Sequence, residues 1–443
     1  MQMSLPFYNN LDSLLSAVGA APPLPSPPTA FEKKVLVVST HAHQCTGYSK
    51  VSYHLVKELA ADPTLQVSHF GFQKGIGANP DWRAYPSGVD VIDVVEKEKE
   101  SGKAEGGFGF SILPTEVKRV QPDVIFIYND AAIMCQFLDS LEKNLTAEER
   151  SKYKVFIYFD QVYEFQRQAL LARIDKDTHT YFAFTEYWKT VLQKQGITKP
   201  IHVLRHGFDP TQFVPKDRIA LRAKHKLPKD AILFLNVNRN TPRKHYDLLL
   251  MAFAQLVARF PTQPVLLMCV CDNGEQGGYP LMELFARELA HLNVPIQAHI
   301  NKLLLVKQAM SFTDETINEM YAMSDVGVTT ADGEGFGLCQ FEAMGVGIPQ
   351  IVSYVGGFKD FCKHNVNSKV VKPVFRTYLP LALGGIGGVS ELVDPKEVCY
   401  AMEEYLMDSE LRAQHGVAAR KTILEYEWKK EVKSLRDVLN ASA

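Results

Sequence analysis

The chain has 443 residues, 46% hydrophobic and 22% charged, which is enough for two domains with separate cores and excludes a disordered or fibrous protein. A formal net charge of −2 and an isoelectric point near 6.7 supply no general basic field, so no nucleic-acid partner is expected and any anion must be held locally. Seven scattered cysteines without a C-x-x-C pair, no apolar run near the roughly 20 residues that cross a bilayer, and no Lys or Arg in the first thirty residues point to a soluble, cytoplasmic chain with no transmembrane segment.

In chain order, residues 11–20 read as one short amphipathic helix, and Ala21 to Ala30 carries five prolines in ten residues, a semi-rigid extended linker. Residues 1–31 are therefore an appendage, with docking on a partner or on the protein's own surface as one use for it. A first domain, residues 32–212, opens with the apolar run Lys33–Thr40, of the kind buried on both faces of a parallel sheet. Further strands are predicted over Leu65–Phe72, Asp123–Tyr128, Val155–Phe159 and Tyr181–Phe184, with helical patterns such as Val51–Leu59 between them. A second domain, residues 213–416, restarts the series at Ile232–Val237. A helix from about His245 to Arg259, a strand over Val265–Cys271, helical Glu319–Met323 and a strand over Val326–Thr330 follow. The last stretch, 417–443, is charged and helical from Val417 to Leu439, contains Trp428, and is placed at the domain junction. The fold class is α/β: two Rossmann-like domains facing across a cleft, with ligands outside the carboxyl ends of the strands.

The segment from Asp332 to Glu342 sets two carboxylates, Glu334 and Glu342, seven intervening residues apart around Gly335-Phe336-Gly337. Glu334 falls on a strand-to-helix loop, the glycines permit close approach by a ligand, and a helix opening near Gly337 offers unpaired N–H groups to phosphate. Glu342, inside that helix, is placed to accept hydrogen bonds from a ribose while Glu334 meets another hydroxylated ring; a merely capped, solvated helix is the plain alternative. Asn236 to His245 gathers cations after a strand and before a helix, where Arg239 and Lys244 suit one phosphate group. In the first domain Thr46-Gly47-Tyr48-Ser49-Lys50 follows the first strand. Tyr128-Asn129-Asp130 and Phe159-Asp160-Gln161 end two others, with helix capping by Asp130 or Asp160 as the competing account. His41 and His43 lack partners at metal-ligand spacing, and neither Gly71–Gly77 nor Gly333–Gly337 follows the dinucleotide fingerprint. Gly384–Gly388 is a flexible insertion, either a lid or a plain loop.

Taken with Gly356-Gly357 and His206-Gly207-Phe208-Asp209, these motifs resemble the retaining glycosyltransferases of the GT-B fold, family 4, over about residues 33–440. The wording of 128–130, 238–241 and 333–339 is closest to virus-encoded members such as those of chloroviruses, which would place the protein in a host cytoplasm. The resemblance implies a C-terminal helix that crosses back and a nucleotide-sugar donor held mainly by the second domain. Arg239 and Lys244 would take the diphosphate, Glu342 the ribose, and Glu334 with the Gly335-Phe336-Gly337 backbone the donor sugar, beside Asn238 and Leu338. Gly47, Tyr48, Asn129 and Asp130 would face it from the acceptor domain; many relatives carry a His at the strand end occupied here by Tyr128-Asn129-Asp130. It further implies retention of configuration, no metal and no cofactor, and a glycan or other hydroxyl acceptor, with GDP-mannose the favoured donor and the enzyme thus a mannosyltransferase. A sugar-nucleotide epimerase of the same fold and a non-catalytic nucleotide-sugar-binding assembly protein are the alternatives.

Overall fold

The computed structural model describes residues 32–75, 82–274, 277–307, 312–379 and 385–441. The appendage of residues 1–31, Gly77 and Gly384 lie outside them. The first sheet is built from β1 (Lys33–Thr40), β2 (Leu65–Phe72), β3 (Asp90–Asp93), β4 (Val124–Asn129), β5 (Lys154–Phe159), β6 (Thr180–Ala183) and β7 (Ile201–Val203). They lie in the order β3-β2-β1-β4-β5-β6-β7, all parallel, with β1 and β2 in register from Lys33 opposite Leu65 to Thr40 opposite Phe72. Strands covered on both faces must be apolar throughout, and Val35, Leu36, Val37 and Val38 are wholly buried.

The second sheet holds β8 (Ile232–Val237), β9 (Val265–Val270), β10 (Leu303–Val306), β11 (Val326–Thr329), β12 (Gln350–Ser353) and β13 (Ser368–Val371), parallel in the order β10-β9-β8-β11-β12-β13. Chain order reverses beside β1 in one sheet and beside β8 in the other. The loops after β1 and β4, and those after β8 and β11, therefore flank the crevices where doubly wound sheets receive ligands.

The helices that bear on the site are α1 (Gly47–Ala60), α2 (Ala131–Asn144), α3 (Tyr246–Arg259), α4 (Asp314–Met323), α5 (Leu338–Val346), α6 (Ser409–Ile423) and α7 (Trp428–Ala441). Helix α1 begins four residues before the predicted Val51 because Thr46 and Ser49 form a capping box, each side chain satisfying the other's backbone N–H. That reciprocal cap offsets the poor helix propensity of Gly47 and Ser49.

At the C-terminus, the single helical stretch expected over Val417–Leu439 is two helices. Helix α6 starts at Ser409, capped by Asp408, and packs on α5, where Gly416 lies against the Gly347 carbonyl and Arg420 donates to the Gly345 carbonyl. After the break at 424–427, α7 crosses back to the first domain. Its Trp428 ring stacks on His54 of α1 at 4.8 Å, Ser434 Oγ donates to the Val203 carbonyl at 3.2 Å, and the Lys33 ammonium donates to the Leu439 carbonyl.

An unanticipated antiparallel ribbon, β14 (Phe375–Tyr378) with β15 (Val389–Leu392), stands beside the second sheet. Of the glycine-rich run, 387–388 are buried, Gly388 against Tyr163 and Glu164 of the first domain, and Arg167 N–H donates to the Ile386 carbonyl at 2.8 Å, so the described part is a packed crossing.

Candidate functional site

The loop after β8 tightens into a single 3₁₀ turn, Pro242–Lys244, before His245 enters the left-handed region at φ 45° and α3 begins. This turn sets two adjacent cations on one carboxylate. Lys244 donates to Glu334, and Arg243 Nη1 donates to the same oxygen at 3.1 Å and to the Gly333 carbonyl at 2.6 Å. Burial alone would raise the Glu334 carboxyl, but the Lys244 ammonium and Arg243 guanidinium outweigh it and hold it at about 2. Arg239, expected beside Lys244, is exposed at the mouth of the loop and forms no ion pair among the described residues. The arginine that touches Glu334 is Arg243. Asn238 is buried and donates to Asn236 Oδ1 at 2.9 Å, while its carbonyl accepts from Tyr246.

Helix α5 starts at Leu338 from Gly337, whose φ of +91° only glycine adopts readily, and no side chain caps its first N–H groups. Phe336 turns away from the cleft: its ring packs 4.4 Å from His206 and 4.9 Å from Phe341, anchoring the loop so that backbone, not side chain, faces any ligand. Glu342, about one turn into the helix, is buried; it accepts from Lys50 Nζ at 2.5 Å and from the Tyr321 hydroxyl at 3.1 Å.

Across the cleft, Gly47 stands opposite Leu338, whose Cδ2 lies 3.5 Å from where a Cβ on Gly47 would be. The Tyr48 hydroxyl donates to Asp160 at the end of β5. Asp160 is the first-domain carboxylate that meets the glycine loop: a Cβ on Gly335 would sit 2.1 Å from its Oδ1. Burial pushes its carboxyl up to about 6, against the lowering influence of the Tyr48 bond and the Arg243 charge. Asn129 and Asp130 are placed differently. Asp130 Oδ1 caps α2 by accepting from the N–H groups of Ala132 and Ile133 at 2.9 and 3.1 Å, and Asn129 Oδ1 accepts from the Asp130 N–H at 2.9 Å. The capping account therefore describes Asp130 and not Asp160.

Three further residues complete the cleft. Trp188 Nε1 donates to the Gly335 carbonyl at 2.7 Å, and the Tyr163 hydroxyl to Asp332 Oδ1 at 2.8 Å, each from the first domain to the second. Asp332 also accepts from Ser390 and lies 3.2 Å from His245 Nε2. Nothing in the local pattern around Trp188 or Tyr163 signalled these roles, whereas Arg243, Lys50 and Asp160 sit inside the runs singled out above. His41 lies 4.8 Å from His43 and is pushed down to about 4 by burial; among the described residues no group of three or more His, Cys, Asp or Glu is arranged to hold a metal ion. Nor is any helix among them long and apolar enough to cross a membrane.

Residues 217–376, most of the second domain, match the sequence profile of the family described as Glycosyl transferases group 1. Similar curated proteins include a D-inositol 3-phosphate glycosyltransferase of Geodermatophilus obscurus, 28% identical over 54% of this chain and 47% of that protein. A D-inositol 3-phosphate glycosyltransferase 2 of Catenulispora acidiphila is 30% identical over 35% of each. The chain thus spans less than half the length of these relatives. Solved structures resemble nearly all of it. Anabaena HepE in complex with UDP and glucose superposes with a TM-score of 0.67 at 15% identity, covering 92% of this chain and 100% of that one. Sucrose-phosphate synthase from Thermosynechococcus elongatus gives 0.68 at 18%, covering 93% and 100%. The fold is GT-B.

Proposed function

We propose that this protein is a retaining, metal-independent glycosyltransferase that moves a hexose from a nucleotide-sugar donor to a glycan or other hydroxyl acceptor. The observation that carries the reading is the pairing of Glu334 with Lys244 and Arg243 beside the uncapped start of α5, with Asp160 of the opposite domain against Gly335. The helix start and the loop cations form a seat for a diphosphate, the carboxylates a seat for hydroxyls.

On this reading the donor's phosphates take the N–H groups at Gly337 and Leu338 and draw the exposed Arg239 in beside Lys244. Glu334 and the Gly335-Phe336-Gly337 backbone hold the sugar, and Glu342 accepts from the ribose. The bond between the anomeric carbon and the leaving phosphate oxygen breaks as the acceptor oxygen approaches the same face, and the departing diphosphate takes the hydroxyl proton. Lys244 and Arg239 neutralise the charge that develops on the leaving group, the place a metal would otherwise occupy.

Asp160 and Tyr48, rather than Asn129 and Asp130, meet the sugar from the acceptor side, since Asp160 lies against Gly335 and bonds Tyr48 whereas Asp130 Oδ1 caps α2. For the donor we assign GDP-mannose on the wording of the motifs, which also supports kinship with virus-encoded members and a cytoplasmic site of action. UDP-glucose is the second reading, favoured by the fold shared with Anabaena HepE, solved with UDP and glucose. The test is a thermal-shift and hydrolysis screen against GDP-, UDP-, ADP- and dTDP-sugars in EDTA, with Arg239→Ala as control. Stabilisation and slow hydrolysis by one donor, lost in the control, support the assignment. Conversion of one nucleotide sugar into another without acceptor would make the protein an epimerase, binding without turnover would make it a binding protein, and no response to any donor would overturn the site.

A further inference from the structure

Two cations of the first domain reach into the second and meet two acids there. Lys50, on α1, is buried with its Nζ 2.5 Å from Glu342 Oε1 and 2.9 Å from Asp314 Oδ1, and 4.5 Å over the Phe213 ring. Arg83 lays its guanidinium on Asp314 with Nη2 3.0 Å from Oδ2 and Nε at 3.2 Å. It is fixed from behind by Ser49 Oγ, 3.0 Å from Nη1. The two acids stand on neighbouring second-domain helices, Asp314 at the start of α4 and Glu342 in the middle of α5.

We propose that Lys50 is a positioning residue: it crosses the cleft to keep Glu342 ionised and aimed as a hydrogen-bond acceptor for the donor's ribose, so the nucleotide seat is complete only when the two domains are closed on each other. This rests on the assignment of Glu342 to the ribose made above.

The chemistry follows from what surrounds the carboxylate. Lys50 from α1 meets Oε1, the Tyr321 hydroxyl from α4 meets Oε2, Asp314 at the start of α4 is a carboxylate whose charge acts on it, and Cys339 lies one turn back on α5 itself. Each carboxylate oxygen has two acceptor positions, so Lys50 and Tyr321 leave room for a ribose diol. Among the described residues, Lys50 is the cation in direct contact with Glu342. Without it, a buried carboxyl beside the Asp314 charge takes up a proton, and one of its acceptor oxygens becomes a donor. Arg83 does not replace it, because its fork is spent on Asp314.

The experiment uses the full chain and measures binding of UDP and GDP, and of their 2′,3′-dideoxy analogues, from mildly acid to mildly alkaline pH in the wild type, Lys50→Met, Lys50→Arg, Glu342→Gln and the Lys50→Met/Glu342→Gln double variant. Lys50→Met is expected to move the acid limb of nucleotide binding toward neutral by about one pH unit or more and to erase discrimination against the dideoxy analogue. Lys50→Arg should restore both in large part. In the Glu342→Gln background, adding Lys50→Met should cost no further affinity, and this comparison stands even where Lys50→Met alone fails to fold. An unchanged acid limb and unchanged ribose discrimination in Lys50→Met, or a further affinity loss in the double variant, would overturn the positioning role while leaving the transferase reading intact. Failure of the wild type to bind either nucleotide, or ADP or dTDP, would overturn both.

Discussion

The indole N–H of Trp188 donates to the carbonyl of Gly335 across 2.7 Å, so a first-domain helix holds the backbone of the second domain's glycine loop. Trp188 is 1% exposed, and a phenylalanine in its place would fill most of the volume while leaving that carbonyl unpaired. An unsatisfied buried acceptor costs about 1–3 kcal/mol. Trp188→Phe is therefore expected to melt lower and to bind donor more weakly, and Gly335→Ala, which drives a Cβ into Asp160, should lose more activity still. Wild-type donor affinity in both variants would show that the loop keeps its place without the first domain.

Lys244→Ala and Arg239→Ala separate two roles that share one loop. Removing a positioned charge at a developing anion typically lowers turnover by about 10²- to 10³-fold, and both variants are expected to show that loss. They should differ in stability. Lys244 is buried against Glu334 and its removal should lower the melting temperature, whereas Arg239 is exposed and its removal should not. Wild-type turnover in Arg239→Ala would transfer the phosphate role to Arg243.

The acid limb of the rate profile is expected to carry an inflection near 6, where burial holds Asp160. Because the folded value lies above that of the free side chain, near 3.9, the proton binds the folded state more tightly. Stability linked to this group is then present in acid and declines as pH rises from about 4 to about 6. Asp160→Asn should abolish the inflection. Tyr48→Phe, which removes a hydrogen bond that favours the anion, should move it upward. A profile unchanged in both variants would place Asp160 outside the reaction.

His245 is also shifted upward, but by its acidic neighbours and not by burial. Burial disfavours its charged form, but Asp247 and Asp332 outweigh burial and raise it to about 9. With a raised folded value, the stability it contributes is fully present below the free value of about 6.5 and is lost as pH rises through about 9. Chemical denaturation at intervals across that window should show the loss, and His245→Gln should flatten it. A wild-type curve that stays level from neutral to alkaline pH would mean the imidazole is neutral throughout.

Much of the fold was legible because parallel strands buried on both faces are written as unbroken apolar runs: Ile232–Val237 coincides with β8 and Lys33–Thr40 with β1. Strands β3, β10 and β13 are four residues each; β3 and β13 include polar residues, and β10, though wholly apolar, is too short to be told from a piece of buried helix. The ribbon β14–β15 was invisible because its partners are separated by a glycine-rich run that reads as loop. In the site, the loop's composition announced cations but not which of them would meet Glu334. That choice depends on a 3₁₀ turn that brings Arg243 and Lys244 together and leaves Arg239 outside. Sequence placed the sugar-facing polar group at Asn129 or Asp130; a strand end can cap its own helix or face the cleft, and only the structure shows Asp130 doing the first while Asp160 does the second.

Helix α7, C-terminal to the second domain, packs back on the domain that precedes it in the chain. Trp428 covers His54 and Gly207, and Leu439 closes over Lys33, so the opening domain emerges from the ribosome lacking one of its outer walls. Domains generally fold in order of synthesis, and here the first domain gains the cover of α7 only after the second has been made. Through the whole of second-domain synthesis, α1 must carry an uncovered apolar flank. Residues 428–441 supply the cover for that flank only once they are made and docked.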